Sequence, residues 1–510
     1  MKKMFKEHDL VKIIGIMLLL VVVLSWIIPT GTFSSGATFT EGEMGRLGLG
    51  HLFYGFSYAI QNYAIQIGFL LMVGVFYGVV SKTEGYKEFV NRLANIFKGK
   101  EILVSLIISF IIVLLTSVLN NTFVLIVFMP VLITILRKMG LDKISSFAIT
   151  FGSMLVGVLG ATIGTEGLDA FVNYIGYGGS EVTLTTELGI RIGIAFLAYA
   201  VYSFFNYLYI KKLVPTKDSS EEEKDDAFYV EDSKKKGKAK IWPVALMFGI
   251  LFVLAVLGFV YWNKSTGSST KIFGFEIFED FFEWIKDIKI GDVAIISSFF
   301  GGEALPNMSA KLFPEFGSWY LFTYSIFLAI TVLVVKFVSK MKFNDMLTNA
   351  YEGIKVMIKP TLFLILAYMM FVLLYWSPIL TTVINEVGKL IGKSFAPISF
   401  LEFFKITIPT PLVVSFQAIL ASIFNTDFAY IGYSLSYAIG SFTGTEGNIV
   451  FLIYTTIYGL IQFITPISVF LLFGLSYMGI PYKKWLGYIW KFFVVMLASL
   501  LIIFNILWLI

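Results

Sequence analysis

Apolar residues dominate this chain in long blocks, and the places where polar residues interrupt them carry most of its information. Runs long enough to cross roughly 30 Å of hydrocarbon, about 20 residues each, occur near 11–28, 60–80, 189–210, 242–262, 318–338, 359–380 and 484–510. These predict seven uninterrupted spans. Two further apolar stretches are split in the middle by short polar sets, Asn120-Asn121-Thr122 and Asn425-Thr426-Asp427. Each predicts a helical hairpin, over 102–136 and 399–443, with the polar set at its tip. The run Gly160-Ala161-Thr162-Ile163-Gly164-Thr165-Glu166-Gly167 is too rich in glycine and polar atoms for an ordinary helix centre. It predicts a broken helix over 146–175, and Thr465-Pro466-Ile467-Ser468 predicts a second over 446–480. The fold class expected is an all-α polytopic membrane protein.

Lysine and arginine set an orientation, because short cytoplasmic loops hold the excess. Lys2, Lys3, Lys6 and Lys12 put the N-terminus inside, with 11–28 as an uncleaved anchor rather than a signal peptide. Lys82, Lys87, Arg92, Lys98 and Lys100 bring the chain back inside, and Arg137, Lys138 and Lys143 lie there too. The first hairpin therefore comes from the cytoplasmic side. Residues 211–241 hold Glu221-Glu222-Glu223 and Lys234-Lys235-Lys236 with little apolar content, which predicts a solvated linker. Anionic-lipid binding by those lysines is the alternative, weakened by the interleaved acids. The stretch 272–300 has the mixed character of an interfacial helix on the outer side. The layout expected is a first transmembrane repeat over 1–210, the linker 211–241, a linking span and interfacial helix over 242–317, and a second repeat over 318–510.

The two halves match in one register. Gly164-Thr165-Glu166-Gly167 reappears as Gly444-Thr445-Glu446-Gly447, but that offset aligns nothing else. An offset of 304 carries Asn121-Thr122 onto Asn425-Thr426, Gly140 onto Gly444, and the break from Ala161 onto the break from Thr465. The span 242–262 is the odd one between the halves, so the second half is upside down with respect to the first. Lys389 and Lys393 then fall outside, a minor breach of the lysine rule.

Composition confirms the class and removes others. The 510 residues are 57% hydrophobic and 14% charged, with mean hydropathy +0.83, so a soluble globule is excluded. Cysteine is absent and histidine is limited to His8 and His51, which leaves no thiolate chemistry and no metal-ligand cluster for an enzyme. The net charge of +5 resides mostly in loops between spans and does not point to nucleic acid. No Gly-x-x-x-x-Gly-Lys-Ser/Thr loop is present, so ATP-driven pumping is unsupported.

Where a helix stops inside a membrane, its free N–H groups or carbonyls have no water to meet, and an ion or an anionic group can take that place. Candidate substrate contacts are therefore Asn120, Asn121, Thr122, Asn425, Thr426 and Asp427 at the tips, with Thr165, Glu166, Thr465 and Ser468 at the breaks. Sodium sites, mostly of backbone carbonyls, are expected at Asn121, Gly164, Asn425 and Pro466. The plain alternative is that the polar sets only cap loops between ordinary spans. An unpaired carboxylate at that depth costs at least about 2.5 kcal/mol, so Asp427 should face a cavity and hold a cation, a proton or a substrate ammonium. Glu166 is a candidate for the same work, or else a solvated residue near the outer interface. Glu402 and Lys405 read as an ion pair one helical turn apart.

Several segments are similar to one family. Asp9-Leu10-Val11 with Trp26-Ile27-Ile28-Pro29-Thr30-Gly31, Lys82-Thr83-Glu84-Gly85, Pro466, and Gly479-Ile480-Pro481-Tyr482-Lys483-Lys484-Trp485 resemble the YfcC-type transporters. These are grouped with the C4-dicarboxylate anaerobic carriers in the ion-transporter superfamily. The resemblance implies a homodimer in which a mobile domain carries substrate past a scaffold, and tips of Ser-Asn-Thr type that bind a carboxylate and frame sodium. Asn120 and Phe424 stand where that serine would be. The function expected is a multi-pass inner-membrane transporter or exchanger, coupled to Na⁺ or H⁺ and without other cofactors, for a small carboxylate-bearing metabolite such as a C4-dicarboxylate. An amino-acid antiporter for substrates such as arginine and ornithine is the alternative, ahead of a channel and of a membrane-embedded enzyme.

Overall fold

The structure is a computed structural model that describes residues 9–213, 228, 239–262, 265–266, 270–271, 273–299, 313–391, 394–395 and 406–510. Most of the charged linker, and Glu402 and Lys405, lie outside the described residues. The first half contains α1 Asp9–Leu24, α2 Leu49–Asn62, α3 Ala64–Val80, α4 Glu84–Phe97 and α5 Glu101–Val118. A 3₁₀ segment Thr122–Phe128 runs into α6 Met129–Lys138, followed by α7 Lys143–Leu159, α8 Leu168–Tyr177 and α9 Leu188–Leu213. After α10 Trp242–Phe259 and the amphipathic α11 Glu276–Lys286, the second half contains α12 Leu321–Val338, α13 Phe343–Trp376, α14 Ile379–Gly388, α15 Thr410–Phe424, α16 Phe428–Gly440, α17 Gly444–Ile461, α18 Val469–Met478 and α19 Tyr482–Leu509.

Both hairpins and both broken helices are present. The first hairpin is α5, a turn at 119–121, and the 3₁₀ segment with α6; the second is α15, a turn at 425–427, and α16. The first broken helix is α7 and α8 around 160–167, and the second is α17 and α18 around 462–468. Gly444 and Glu446 open α17, whereas Gly164 and Glu166 lie in a break. The Gly-Thr-Glu-Gly match therefore joins unrelated places, and the register of 304 pairs like with like.

Several boundaries differ from the hydropathy reading. The apolar run 11–28 is helical only over the 16 residues of α1, after which Pro29 and Gly31 lead into an antiparallel pair, Gly31–Ser34 with Thr38–Glu41. The span 60–80 continues a bend: α2 and α3 meet at Tyr63 at 69°. The span 359–380 is the second part of the 34-residue α13, which tolerates Pro360 inside it. The leg α5 is itself long and apolar enough to cross a membrane. In the second hairpin the described first leg begins at Thr410, later than 399.

Packing shows that the halves are inverted. Ser109 of α5 bonds Ser153 of α7 at 2.5 Å, and a Cβ on Gly157 would meet Thr116, so the hairpin leg and the first half of the broken helix run side by side in one direction. The ends of α7 and α17 then meet: a Cβ on Gly459 would lie 2.2 Å from the Leu159 Cα, a backbone contact that only glycine permits. Helix α8 leaves its break parallel to α16, with the Phe171 ring 4.1 Å from Phe428 near the start and Gly178 against Gly440 at the far end. The two hairpins thus arrive from opposite ends of the bundle. Beside them α3 and α13 touch through Gly74 and Gly353, forming a closely packed pair. Helices α5, α9, α10, α12 and α19 expose Ile107, Phe196, Leu246, Val334 and Ile502, the apolar outer face a bilayer requires, while α17 is buried from Ile449 to Ile461.

Candidate functional site

The tips are built by local side-chain chemistry. In the first, the Phe123 N–H donates to Asn121 Oδ1 at 3.2 Å; in the second, the Asp427 N–H donates to Asn425 Oδ1 at 3.0 Å. The same Asx turn therefore forms at both positions of the register, releasing the chain from one leg and starting the next. Asp427 continues the cap, accepting the Tyr430 N–H on Oδ1 at 3.2 Å, and its Oδ2 accepts the Tyr63 hydroxyl at 3.0 Å. Asn120 ties the first tip to the linking region: its N–H donates to Phe259 O at 2.8 Å and its Nδ2 to Gly317 O at 2.7 Å.

Each break then satisfies the carbonyls that its hairpin leg leaves over. The N–H groups of Thr162 and Gly164 both donate to Ser117 O, at 3.0 and 3.1 Å, and the Thr165 N–H donates to Leu119 O at 2.7 Å. The Thr162 hydroxyl adds Ser117 O and the Thr165 hydroxyl Thr116 O. In the second repeat the Thr465 hydroxyl donates to Ile423 O at 2.9 Å. The broken helices have their own supports. Arg191, buried, donates through Nε to Ala161 O at 2.9 Å and through NH1 to Leu184 O at 2.8 Å, while Trp485 donates to Phe463 O at 2.8 Å and Tyr482 to Ile464 O. Without such partners these carbonyls would face an apolar interior at a cost of about 1–3 kcal/mol each.

The four interruptions surround one cavity of about 480 Å³. Hairpin tips contribute Asn120, Phe123, Thr426, Asp427, Phe428 and Ala429; the breaks and their flanks contribute Val158, Thr165, Glu166, Gly167, Asp169, Ala170, Tyr458, Gln462, Val469 and Phe470. The α2–α3 bend and α13 add Tyr63, Gln66 and Tyr368, and Tyr261 and Tyr320 complete the wall. Glu166 is placed by an uncommon backbone: Thr165 has φ +97° and Gly167 φ +80°. For a β-branched residue such a φ costs on the order of 1–3 kcal/mol, and here two hydrogen bonds of Thr165 to the first leg hold it, from its N–H to Leu119 O and from its hydroxyl to Thr116 O.

Of the residues singled out from sequence, Asn120, Thr165, Glu166, Thr426 and Asp427 line the cavity. Asn121, Thr122, Asn425, Thr465 and Ser468 are close in sequence but do not line it, and neither do Gly164 and Pro466. The Asn121 and Asn425 Oδ1 atoms accept backbone N–H groups of their own turns. Thr122 Oγ1 and Ser468 Oγ are buried without a partner. Glu166 is partly buried at the cavity wall rather than solvated at an interface. Among the described residues no three acids or histidines converge as a metal cluster. The sequence reading missed Tyr63, Gln66, Tyr261, Tyr368, Tyr458 and Gln462. For Tyr63 and Gln66 a signal existed, since Gln61-Asn62 and Gln66 interrupt an apolar run.

Opposed tips and broken helices around a central cavity, inside a bundle with an apolar exterior, define a membrane carrier and not an enzyme. Residues 8–510 match the family model of the C4-dicarboxylate anaerobic carriers, DcuC, and the chain belongs to that family. Among solved structures, the YdaH transporter of Alcanivorax borkumensis is similar at 14% identity and a TM-score of 0.41, over 98% of each chain. No curated protein sequence matches.

Proposed function

We propose that the chain is a cation-coupled secondary transporter or exchanger of a small carboxylate-bearing metabolite, with the solute held in the central cavity. One observation carries the reading: both tips and both breaks, arriving from opposite ends of the bundle, meet at that cavity. Groups so placed need only a modest shift of the hairpins to be reached from either side. The Thr426 hydroxyl and the Gln462 Nε2 are buried there without partners, as a carboxylate's donors would be before it binds. Family membership makes a C4-dicarboxylate the first substrate to test.

Coupling follows from charge. Among the described residues Glu166, Asp169 and Asp427 line the cavity and no lysine, arginine or histidine does. A dianion placed among carboxylates in a low-dielectric interior is strongly repelled unless cations accompany it. Sodium or protons would supply them. The same acids favour the second reading, an amino-acid antiporter. A homodimer, and an inner-membrane location with the N-terminus in the cytoplasm, belong to the proposal on the strength of the resemblance and of the lysine pattern.

The test is uptake of labelled succinate and malate by proteoliposomes with and without an inward sodium or proton gradient. The reading predicts saturable accumulation that collapses when the gradient is dissipated. Non-saturating conductance that ignores both gradients would make the chain a channel and overturn it.

A further inference from the structure

Apart from the central cavity, a second hollow of about 280 Å³ lies on the outside of the bundle, between α5 and α9. We propose that this groove seats one acyl chain of a membrane phospholipid, packed against the joint that holds the first break.

Two helical stripes make its walls. Phe110, Leu114 and Val118 stand one above the other on α5, and Leu188, Ile192 and Phe196 do the same on α9. Each stripe is roughly 12 Å long at a rise of about 1.5 Å per residue. One end is closed by the Phe110 and Tyr199 rings, whose centroids lie 5.2 Å apart. Thr162 and Ile163 of the first break, both buried, form the floor.

The polar groups of the groove are already occupied. The Ser117 hydroxyl donates to Leu114 O at 2.9 Å, the Thr162 hydroxyl to Ser117 O at 2.8 Å, and the Tyr199 hydroxyl to Leu106 O at 2.9 Å. No side-chain donor there is left for a polar ligand, and an alkyl chain asks for none. Leu114, Ile192 and Phe196 are exposed, and both helices are long and apolar enough to cross a membrane, so the groove opens onto hydrocarbon. Left empty, it would forfeit the dispersion contacts of its walls; a chain drawn from the bilayer restores them.

The two ends differ in a way that orients the lipid. Opposite Tyr199, Phe273 lines the groove and belongs to a cluster with Trp262, Phe275 and Phe278, ring centroids 4.4 to 6.3 Å apart. Tryptophan concentrates at headgroup depth, which puts the headgroup at that end and the tail toward Tyr199. The floor then gives the site its consequence. Ser117 O accepts the N–H groups of Thr162 and Gly164, and Ser117 and Thr162 line the groove while Thr165 and Glu166 line the central cavity. The first break is therefore shared between the lipid and the cavity, and seating or losing the chain bears directly on it.

The test is photolabelling of the full-length protein in proteoliposomes that contain a trace of phosphatidylethanolamine with a diazirine midway along one acyl chain, read by peptide mass spectrometry. Label on 110–118 and 188–199 should exceed that on the lipid-facing residues of α12 and α19 severalfold. Ile192→Trp and Leu114→Trp, which fill the groove from either wall, should each cut the groove label severalfold and leave that on α12 and α19 unchanged, with unaltered melting temperatures certifying the fold. Groove label in wild type no greater than on α12 and α19, as ordinary bilayer contact or a second copy covering this face would give, overturns the proposal. So does groove label that survives both substitutions in folded protein. A groove labelled by a diazirine fatty acid and not by the phospholipid would belong to a free fatty acid and overturn the assignment as well. None of these outcomes depends on what the central cavity carries.

Discussion

At the scale of residues, the polar side chains of the tips divide into those that build the turn and those that face the cavity. Asn425 builds: its Oδ1 accepts the Asp427 N–H and it is 1% exposed, so Asn425→Ala should destabilise the fold by about 1 kcal/mol, read as a lower melting temperature. Thr426 faces the cavity with an unpartnered hydroxyl, so Thr426→Val should preserve the melting temperature and reduce uptake at least tenfold; undiminished uptake would remove it from the site. Asp427 does both. Asparagine caps a helix as well as aspartate, so Asp427→Asn should keep stability and lose cation-dependent transport, whereas Asp427→Ala should lose about 1 kcal/mol of stability besides. Cation-dependent transport retained by Asp427→Asn would show that the charge is irrelevant, and equal melting temperatures of the two variants would show that the cap is. Sequence revealed these residues because Asn, Thr and Asp are conspicuous between apolar runs. It could not divide the roles, since turn building and ligand binding call for the same side-chain oxygens. The tyrosines of the wall were hidden for a different reason: in a hydropathy pattern Tyr368 and Tyr458 read as more apolar helix.

At the scale of elements, the hairpins and broken helices were legible because clusters of glycine and polar residues inside an apolar run mark where the backbone leaves the helix, whereas a lone proline such as Pro360 does not. The bend at Tyr63 was not, because nothing but local polarity marks it, and the length of α13 was not, because its first part, from Phe343 to Lys359, carries charges that hydropathy assigns to a loop. The closest joint between repeats is Gly459 on Leu159. Gly459→Ala would place a Cβ within 2.2 Å of backbone and should sharply lower both melting temperature and transport, while Gly487→Ala, with open space around it, should change neither. A tolerated Gly459→Ala would mean that α7 and α17 do not meet as described. Arg191 makes a comparable joint at the first break: Arg191→Leu leaves the carbonyls of Ala161 and Leu184 unpaired and should cost several times about 1 kcal/mol, detected as loss of folded protein in detergent.

At the scale of the whole molecule, the inverted register is what makes one cavity out of four separated stretches of sequence. A helix stopping in mid-membrane is a liability by itself, but two pairs arriving from opposite ends place their free polar atoms together and give a solute two routes to them. The acids of that cavity, Glu166, Asp169 and Asp427, are what the proposed coupling to a cation rests on. The central claim is that the transported solute occupies this cavity, and the natural absence of cysteine allows a direct test. A single cysteine introduced as Ala429→Cys lies on the cavity wall beside the second tip. In proteoliposomes that still transport, its rate of modification by a membrane-impermeant thiol reagent should fall severalfold when a transported solute is present at saturating concentration, and not with a solute that is not transported. Modification at the same rate with and without the transported solute would place the solute somewhere else and contradict the account.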